Sequence, residues 1–295
     1  MSAAALDCEA WRASGDRLDT PGGAIFTKTE GTGSALLFIH GFPTSSWDWA
    51  KIWPALTPHY QCLTLDMIGF GFSAKPENFA YSFRAQADLF ETFLAHRKVS
   101  EYAVVAHDYG DTVAQELLAR HAEGSAKQRL THVMLLNGGL FPETHRPVLI
   151  QKLLASPIGP FVARFTTYRK FATNLRSICA QPLAESELEG MWRLMTFNDG
   201  LAVLPKLIGY MAERREHRER WVGALQRSNV PLRLINGLRD PISGAHMVAR
   251  YRELIPNPDV VELPEAGHYP QVETPDVVAA AIRDFLKPVN AQGSL

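Results

Sequence analysis

The stretch AVVAHDYGDTVAQ, residues 103–115, decides the fold class of this chain. Its first four residues are small or β-branched, which is typical of a buried strand, and apolar residues at helical spacing follow Gly110. A strand that turns sharply into a helix presents the residue at the turn to a pocket, and here that residue is Asp108. The stretch alone allows two interpretations: Asp108 is a nucleophile, or it caps the following helix.

Composition and charge exclude several classes of function. The chain has 295 residues and a formal net charge of −1, so no overall field would attract nucleic acid or an anionic membrane. Its cysteines are few and widely spaced, which argues against a disulfide framework and suits a reducing compartment. No stretch approaches the roughly 18 uninterrupted apolar residues of a membrane span. We expect a cytoplasmic protein without a nucleic-acid or membrane partner, and the sequence predicts no oligomeric state.

Apolar runs of strand length alternate with segments of helical spacing. The apolar runs lie at residues 34–40, 60–66, 101–107, 131–137, 230–236 and 259–264. The helical segments that accompany them lie at residues 46–56, 82–97, 111–124 and, near the end of the chain, 274–289. Near-continuous apolar runs indicate strands buried on both faces. Their alternation with helices predicts an α/β fold with a mostly parallel sheet flanked by helices.

The alternation is interrupted in the middle of the chain. No strand-like run occurs between residues 138 and 227, whereas helical spacing continues there. The helical stretches lie at 147–155, 185–195 and 202–221. We therefore expect an α/β core made of residues 1–137 and 228–295. Residues 138–227, called the helical insertion below, are expected to form a helical cap domain over it.

Two later strand ends supply partners for Asp108. Asp240 follows the predicted strand at 230–236, and His268 follows the one at 259–264. A nucleophile at such a turn is followed in chain order by an acid and then a histidine, each after a later strand. Three residues rarely fall in this order at successive strand ends by chance. The sequence therefore predicts a catalytic triad of Asp108, Asp240 and His268.

An earlier turn matches the same arrangement. The sequence His40-Gly41-Phe42-Pro43 follows the predicted strand at 34–40. In this position a turn supplies one backbone N–H of an oxyanion hole, and the residue after the nucleophile supplies the other. We therefore predict that the amides of Phe42 and Tyr109 form the oxyanion hole.

Several sequence motifs resemble one known superfamily. The stretches are HGFP (40–43), DMIGFGFSAKP (66–76), HDYG (107–110) and GHYPQVETP (267–275). They resemble the α/β-hydrolase fold superfamily, and within it the epoxide hydrolases and haloalkane dehalogenases, which use an Asp nucleophile. The resemblance extends from about residue 20 to 288. Two further stretches, NGGLFPETHRP (137–147) and RWVGAL (220–225), look most similar to the mesoderm-specific transcript branch of that superfamily.

A carboxylate nucleophile restricts the class of reaction. Attack by Asp108 on an acyl group would form a reactive anhydride, whereas attack on a saturated carbon forms an alkyl ester. Water activated by His268, which Asp240 orients, can then hydrolyse that ester. We expect a small apolar electrophilic substrate and water. The sequence has no HExxH motif, clustered cysteines or glycine-rich phosphate loop, so no metal or cofactor is expected.

The leaving group distinguishes two activities. An epoxide oxygen needs a proton, and the resemblance to epoxide hydrolases implies a tyrosine of the cap as its donor. Tyr210 matches that position better than Tyr168. A halide instead needs N–H donors, and haloalkane dehalogenases commonly have Trp directly after the nucleophile, where this chain has Tyr109. Trp192 and Trp221 of the helical insertion are the candidate halide donors in this chain.

Epoxide hydrolysis is thus the first hypothesis, and dehalogenation of haloalkanes or haloacids is the alternative. An esterase and a ligand-binding relative without turnover are further hypotheses. The predicted triad argues against pure binding, because a binding protein has no need for His268 paired with Asp240.

Three other polar features are interpreted as structural. Asp111 is expected to cap the helix after the turn. His145 is expected to be a loop histidine with satisfied ring nitrogens. The segment ERREHRER (213–220) mixes both signs of charge, which is typical of a solvated helix face.

Overall fold

One eight-stranded sheet organises the protein, and the computed structural model describes residues 7–287 of the chain. The strands are β1 (Asp16–Thr20), β2 (Gly23–Glu30), β3 (Ala35–Ile39), β4 (Gln61–Leu65), β5 (Glu101–His107), β6 (Arg129–Leu136), β7 (Leu232–Gly237) and β8 (Asp259–Leu263). Their spatial order is β1-β2-β4-β3-β5-β6-β7-β8. The pairs from β4 to β8 are parallel, and β1–β2 and β2–β4 are antiparallel. The prediction of a mostly parallel α/β sheet is confirmed.

The six parallel strands coincide with the six predicted apolar runs, with ends that differ by at most two residues. The edge hairpin of β1 and β2 was not predicted. Every residue of β1 is exposed or only half-buried, so its sequence DRLDT contains no apolar run. A strand at a solvent-facing sheet edge needs little burial, and apolar periodicity cannot identify it.

Helices of the core cover the sheet. They are α1 (Cys8–Ala13), a 3₁₀-helix (Ser46–Trp49), α2 (Trp53–Leu56), α3 (Phe83–His96), α4 (Tyr109–Glu123), α12 (Ala245–Leu254), α13 (Pro270–Glu273) and α14 (Pro275–Phe285). The segment predicted as one helix at 46–56 consists of the 3₁₀-helix and α2. The predicted end of the last helix, at residue 289, lies outside the described residues.

The helical insertion, which lies entirely within the described residues, contains helices and connecting segments and no strand. They are α5 (Leu149–Leu154), α6 (Gly159–Arg164), α7 (Tyr168–Ile178), α8 (Glu185–Thr196), a 3₁₀-helix (Phe197–Asp199), α9 (Gly200–Leu207), α10 (Tyr210–Glu216) and α11 (Arg218–Gln226). The single helix expected at 202–221 is therefore three helices. The division into a core and a separate cap domain stays a prediction, because α11 packs along the core helix α4.

Helix α4 occupies the centre of the molecule. It packs on β3, β5 and β6, and its start lies so close to β3 that a Cβ on Gly110 would be 2.5 Å from the Ile39 carbonyl oxygen. The side chains of the middle strands are almost completely buried. This packing fixes the turn between β5 and α4 against the carboxyl ends of the strands on both sides.

No helix among residues 7–287 is both long and apolar enough to cross a membrane.

Candidate active site

Asp108 lies in a sharp turn between β5 and α4, with φ 50° and ψ −104°. A positive φ is strained for a residue with a side chain, and such strain is common at functional sites. Glycine at position 41 makes room for the turn, because a Cβ there would lie 2.9 Å from the Asp108 Cβ. The Asp108 side chain makes no capping hydrogen bond to α4. Its carboxylate is therefore not used by the helix, which was the alternative interpretation of the sequence.

The Asp108 carboxylate faces the turn after β3. The Phe42 N–H donates a hydrogen bond of 3.0 Å to its Oδ2. Tyr109 is the first residue of α4, where amide groups lack helical partners, but its N–H makes no hydrogen bond to the Asp108 side chain. The structure thus places one of the two predicted oxyanion-hole amides directly on the carboxylate. The role of both amides stays a prediction.

Asp240 lies in the loop after β7 and is nearly completely buried. Its Oδ2 is 2.8 Å from His268 Nδ1, 3.0 Å from Asn137 Nδ2 and 2.7 Å from Ser243 Oγ. Its Oδ1 accepts a bond of 2.7 Å from the Ile242 N–H. Burial alone would raise the pKa of Asp240, but the charge and hydrogen bond of His268 and these other donors lower it to about 2. Asp240 is therefore ionised and fixed in orientation.

His268 lies in the loop after β8 and pairs with Asp240 through Nδ1. Burial would lower the pKa of His268, but the Asp240 carboxylate and the charge of Asp108 raise it to about 9. The backbone of His268 is held on both sides. Its N–H donates to the Ile178 carbonyl of the helical insertion at 2.9 Å, and its carbonyl accepts from His107 Nε2 at 2.7 Å. The structure thus brings all three predicted triad residues to one edge of the sheet.

An apolar cavity of about 80 Å³ reaches His268 between the core and the helical insertion. It is lined by Phe42, Pro43, Val148, Ile150, Gln151, Leu154, Thr166, Phe171, Asn174, Leu175, Ile178, Met195, Leu204, Ile242 and His268. Polar groups are few, so the cavity is suited to an apolar ligand with one reactive group near His268.

The two candidate tyrosines differ in position. Tyr210 is buried, and its ring centroid lies 5.7 Å from that of Phe42 and 5.5 Å from that of Tyr109. Its hydroxyl oxygen accepts a hydrogen bond of 3.0 Å from Gln151 Nε2. Burial and the charge of Asp108 raise the pKa of Tyr210, so the hydroxyl keeps its proton.

Tyr168 is not brought to the site. Its hydroxyl hydrogen-bonds Glu185, which is exposed, and its ring packs against Trp192. Tyr168 is absent from the cavity lining, and so are Tyr210 and Asp108; Tyr210 differs because its ring packs on Phe42, which lines the cavity. The loose sequence match at Tyr168 is therefore not supported by its position, because helical periodicity does not tell which cap residues face inward.

Two tryptophans of the helical insertion, Trp221 and Trp192, are the candidate halide donors. The Trp221 indole N–H donates to Glu116 Oε2 at 2.8 Å, within the contact between α11 and α4. The Trp192 ring packs on Phe171 and Tyr168 and does not line the cavity. The Trp221 N–H is therefore used in the contact between α11 and α4.

Arg214 of α10 is a site residue that the sequence interpretation missed. It is buried, its Nη2 donates to the Asp108 carbonyl oxygen at 2.9 Å, and its Nε donates to Thr112 Oγ1 at 2.7 Å. Its guanidinium lies 4.7 Å from the Tyr210 ring centroid. The interpretation of residues 213–220 as a fully solvated face was wrong at this position. The spacing of four residues between Tyr210 and Arg214 places both on one helix face and could have indicated it.

Two further expectations were also wrong. Helix α4 begins at Tyr109, so Asp111 lies in its first turn, where it is buried and accepts from the Leu136 N–H at 3.3 Å. Burial raises the pKa of Asp111 well above its usual range. Both ring nitrogens of His145 are buried without a partner among residues 7–287, so this histidine is not a satisfied loop residue.

Comparison with known proteins places the chain in a family. A match to the family described as the alpha/beta hydrolase fold covers residues 34–275. The chain belongs to the α/β-hydrolase fold family. LipZ of Mycobacterium tuberculosis is 39% identical over 94% of this chain and 96% of LipZ. The mesoderm-specific transcript protein of Mus musculus is 39% identical over 90% of this chain and 83% of that protein. Haloalkane dehalogenase 2 of Mycobacterium tuberculosis is 27% identical over 90% and 92%.

Solved structures agree on the fold. Haloalkane dehalogenase DbeA from Bradyrhizobium elkani superposes with a TM-score of 0.74 at 22% identity, over 92% of this chain and 98% of DbeA. The epoxide hydrolase CorEH superposes with a TM-score of 0.75 at 18% identity, over 92% and 97%. At such identities the likeness shows the α/β-hydrolase fold alone. The resemblance inferred from the sequence motifs is confirmed at the level of the family.

Proposed function

We propose that this α/β hydrolase opens an epoxide on an apolar molecule through an ester formed on Asp108. The observation that carries the proposal is the position of Tyr210. Its hydroxyl accepts a hydrogen bond from Gln151, so its own proton is not used in that bond, and its ring packs on Phe42 and Tyr109 beside the nucleophile. A phenol near a carboxylate nucleophile is the pair of groups that epoxide opening needs.

In the first half-reaction, the free Oδ1 of Asp108 attacks an epoxide carbon, because Oδ2 is held by the Phe42 N–H. A carbon–oxygen bond to Asp108 forms as the ring carbon–oxygen bond breaks. The ring oxygen takes the proton of Tyr210. An alkoxide is far more basic than a phenolate, so this transfer stays favourable although burial raises the pKa of Tyr210. The product of this step is a hydroxyalkyl ester of Asp108.

Formation of the ester prepares the second half-reaction. The charge of Asp108 is one of the causes that raise the pKa of His268, and the ester is neutral. The first step leaves the negative charge on the Tyr210 oxygen, and the His268 imidazolium, a stronger acid than the Tyr210 phenol, gives its proton to that oxygen. The imidazole is then neutral and available as a base. His268 takes a proton from water as the water oxygen attacks Cγ of Asp108.

The negative charge of this second step develops on Oδ2 of Asp108. The Phe42 N–H already points at that oxygen, and the Tyr109 N–H at the start of α4 is the second donor in the proposal. Collapse of the intermediate releases the diol. Of the two protons that water brings, one ends on the departing alkoxide and the other returns to His268.

Dehalogenation is the alternative, and a halide needs N–H donors aimed at the cavity. The indole N–H of Trp221 is bonded to Glu116, and Trp192 does not line the cavity. These contacts favour an epoxide over a halide, although one relative is named a haloalkane dehalogenase. Acyl chemistry is disfavoured because a carboxylate nucleophile would form an anhydride. The hydrogen-bonded His268–Asp240 pair argues against a protein that only binds.

The test is mass spectrometry of the His268→Gln variant after incubation with a panel of apolar epoxides and haloalkanes. This change removes the base, so the ester should accumulate on Asp108. We expect the peptide containing Asp108 to gain the full mass of an epoxide. The double variant Asp108→Ala/His268→Gln is the matched control and should gain no mass on that peptide.

Other outcomes would replace the proposal. An adduct that has lost halogen, with none from epoxides, would assign the protein as a dehalogenase. No adduct from any compound in a variant with unchanged circular dichroism would contradict covalent catalysis by Asp108.

A further inference from the structure

The helical insertion exposes a concentrated apolar surface. Among the described residues, five large hydrophobic side chains are exposed, and four of them lie between residues 149 and 165. These four are Leu149, Ile158, Phe161 and Phe165, called the apolar patch below. They belong to α5, α6 and the residues next to α6, and the rings of Phe161 and Phe165 lie 4.5 Å apart. Single exposed hydrophobic residues need no explanation, but a cluster indicates an interaction surface.

The charge around the apolar patch is of one sign. Residues 144–184 include no Asp or Glu and six exposed basic residues, against a net charge of −1 for the whole chain. The six are Arg146, Lys152, Arg164, Arg169, Lys170 and Arg176. Within the described chain only Arg176 of these forms an ion pair, with Glu185. The other five charges are available to a partner that is anionic.

The same segment also lines the cavity. Leu149 is exposed, whereas its neighbours Val148 and Ile150 line the cavity, and Thr166 beside Phe165 does so as well. Neighbouring residues of one segment thus belong to the apolar patch and to the cavity.

We propose that the apolar patch and its basic residues form a docking surface for an anionic phospholipid membrane. Apolar side chains surrounded by Lys and Arg are the composition of elements that lie in the membrane interface, where the side chains enter the acyl boundary and the cations meet the headgroups. The net charge of −1 led us to expect no membrane partner. That value is a sum over the whole chain, and it conceals the local excess of basic residues at 144–184. Docking would supply membrane-dissolved substrates to the cavity, but it does not depend on the proposed reaction.

A second copy of the chain is a less suitable occupant. Symmetric pairing of the patch would place its unpaired basic residues opposite the same residues of the partner. Like charges at such an interface oppose association. A lipid surface that is both apolar and anionic matches both features together.

The test is co-sedimentation of the full chain with vesicles of phosphatidylcholine alone or of phosphatidylcholine mixed with phosphatidylglycerol. We expect binding to the anionic vesicles, weak binding to the neutral ones, and loss of binding as salt is raised. The variant Phe161→Ser/Phe165→Ser should lower the partition coefficient roughly tenfold or more, because two aromatic side chains that would enter the acyl boundary of the membrane are lost. Val277→Ser, on α14, removes the fifth exposed hydrophobic residue and should leave binding unchanged.

A charge variant provides a second, independent comparison. Each cation near an anionic surface contributes about fivefold to binding, so Lys152→Gln/Arg164→Gln should weaken binding to anionic vesicles about twenty-fivefold. The matched control is Arg227→Gln/Arg283→Gln, which removes two exposed cations that form no ion pair in the described chain. Circular dichroism checks the folding of each variant. If Phe161→Ser/Phe165→Ser does not fold, the comparison of the two charge variants carries the test.

Three results would overturn the proposal. The first is no binding of the wild type to anionic vesicles. The second is equal loss of binding in the patch variants and their controls. The third is a dimeric wild type that Phe161→Ser/Phe165→Ser converts to a monomer, which would assign the patch to a second copy.

Discussion

The loops at the carboxyl ends of the strands and the helices of the insertion contribute to the candidate site in different ways. After β5, β7 and β8, Asp108, Asp240 and His268 lie in buried loops, and hydrogen bonds to neighbouring loops orient their functional atoms. The helical insertion supplies an apolar wall to the cavity, with Gln151, Thr166 and Asn174 as its polar members.

The difference follows from the geometry of the two kinds of element. Parallel strands end at a common edge, so residues far apart in sequence meet there, and loop backbone can bond them. A helix turns each successive residue by about 100° and offers one side chain in three or four to the cavity. In the proposed mechanism, the strand-end loops hold the groups for covalent chemistry, and the helical insertion selects the substrate and its leaving group. The following experiments test that division, beginning with the largest expected effect.

Replacing the nucleophile should abolish turnover. We expect Asp108→Ala to lower kcat on the order of 10⁴-fold or more, as removal of a covalent nucleophile does elsewhere. Steady-state turnover of the epoxide identified by mass spectrometry measures the effect. Asp199→Ala is the matched control, since Asp199 also has a positive φ, 57°, but is exposed in the helical insertion. A comparable loss in both variants would mean that backbone strain rather than chemistry explains the result.

Removing the carboxylate that orients His268 should have the next largest effect. We expect Asp240→Asn to lower kcat on the order of 10⁴-fold, as for other histidines that lose their orienting acid. The Asp240 charge helps raise the pKa of His268 to about 9, so the variant should shift that pKa to lower pH. Titration of the imidazole by NMR measures the shift. An unchanged pKa would contradict the role given to Asp240.

The same pair makes stability depend on pH. The folded pKa of His268 is raised, so its stabilising effect is complete below its ordinary value of 6.5 and is lost as pH rises through about 9. The folded pKa of Asp240 is lowered, so its effect is present above its ordinary value of 3.8 and is lost as pH falls through about 2. Between pH 6.5 and 9 the unfolding free energy of the wild type should fall more than that of Asp240→Asn.

Substitution of Tyr210 and of Tyr168 tests which tyrosine of the helical insertion faces the candidate site. We expect Tyr210→Phe to slow ester formation from an epoxide about 10²-fold, because the proton donor is lost. Tyr168→Phe makes the same change at a hydroxyl bonded to Glu185 and should leave the rate unchanged. Single-turnover kinetics separates ester formation from hydrolysis. Equal rates in Tyr210→Phe and the wild type would remove Tyr210 from the mechanism.

The same division explains what the sequence could predict. The order of the strands and the residues after them located Asp108, Asp240 and His268, because a strand end fixes where the next loop residues lie. It did not locate Asn137 as a partner of Asp240, although Asn137 also lies directly after a strand, because the order of nucleophile, acid and histidine assigns no role to an Asn at that strand end.

In the helical insertion, sequence spacing was less informative. Charged residues in 213–220 suggested a solvated face, yet Arg214 is buried against the Asp108 carbonyl. Residues 202–221 form three helices rather than one, so a single helical phase does not describe which residues face inward. Packing between separate helices decides that, and it is not encoded in the periodicity of one segment.

The joint between α11 and the core should affect stability and leave the chemistry intact. Buried Glu116 of α4 accepts hydrogen bonds from Arg120 Nε at 3.0 Å, Arg220 Nε at 2.7 Å and Trp221 Nε1 at 2.8 Å. Burial would raise the pKa of Glu116, but these donors lower it overall. Glu116→Gln leaves two arginines near a neutral partner and should cost about 3 kcal/mol of unfolding free energy.

Denaturant titration measures that cost, and Glu219→Gln, at an almost fully exposed carboxylate, is the control with less than about 0.5 kcal/mol. Because the folded pKa of Glu116 is lowered, its contribution is present above pH 4.5 and is lost as pH falls through the lowered value. The gap between Glu116→Gln and wild type should therefore close in acid. Turnover per folded molecule should stay unchanged, because the hydrogen bonds of Glu116 go to Arg120, Arg220 and Trp221 and not to a residue of the candidate site. A lower kcat of the fully folded variant would mean that the contact between α4 and α11 also positions Arg214 or Tyr210, and that it affects catalysis as well as stability.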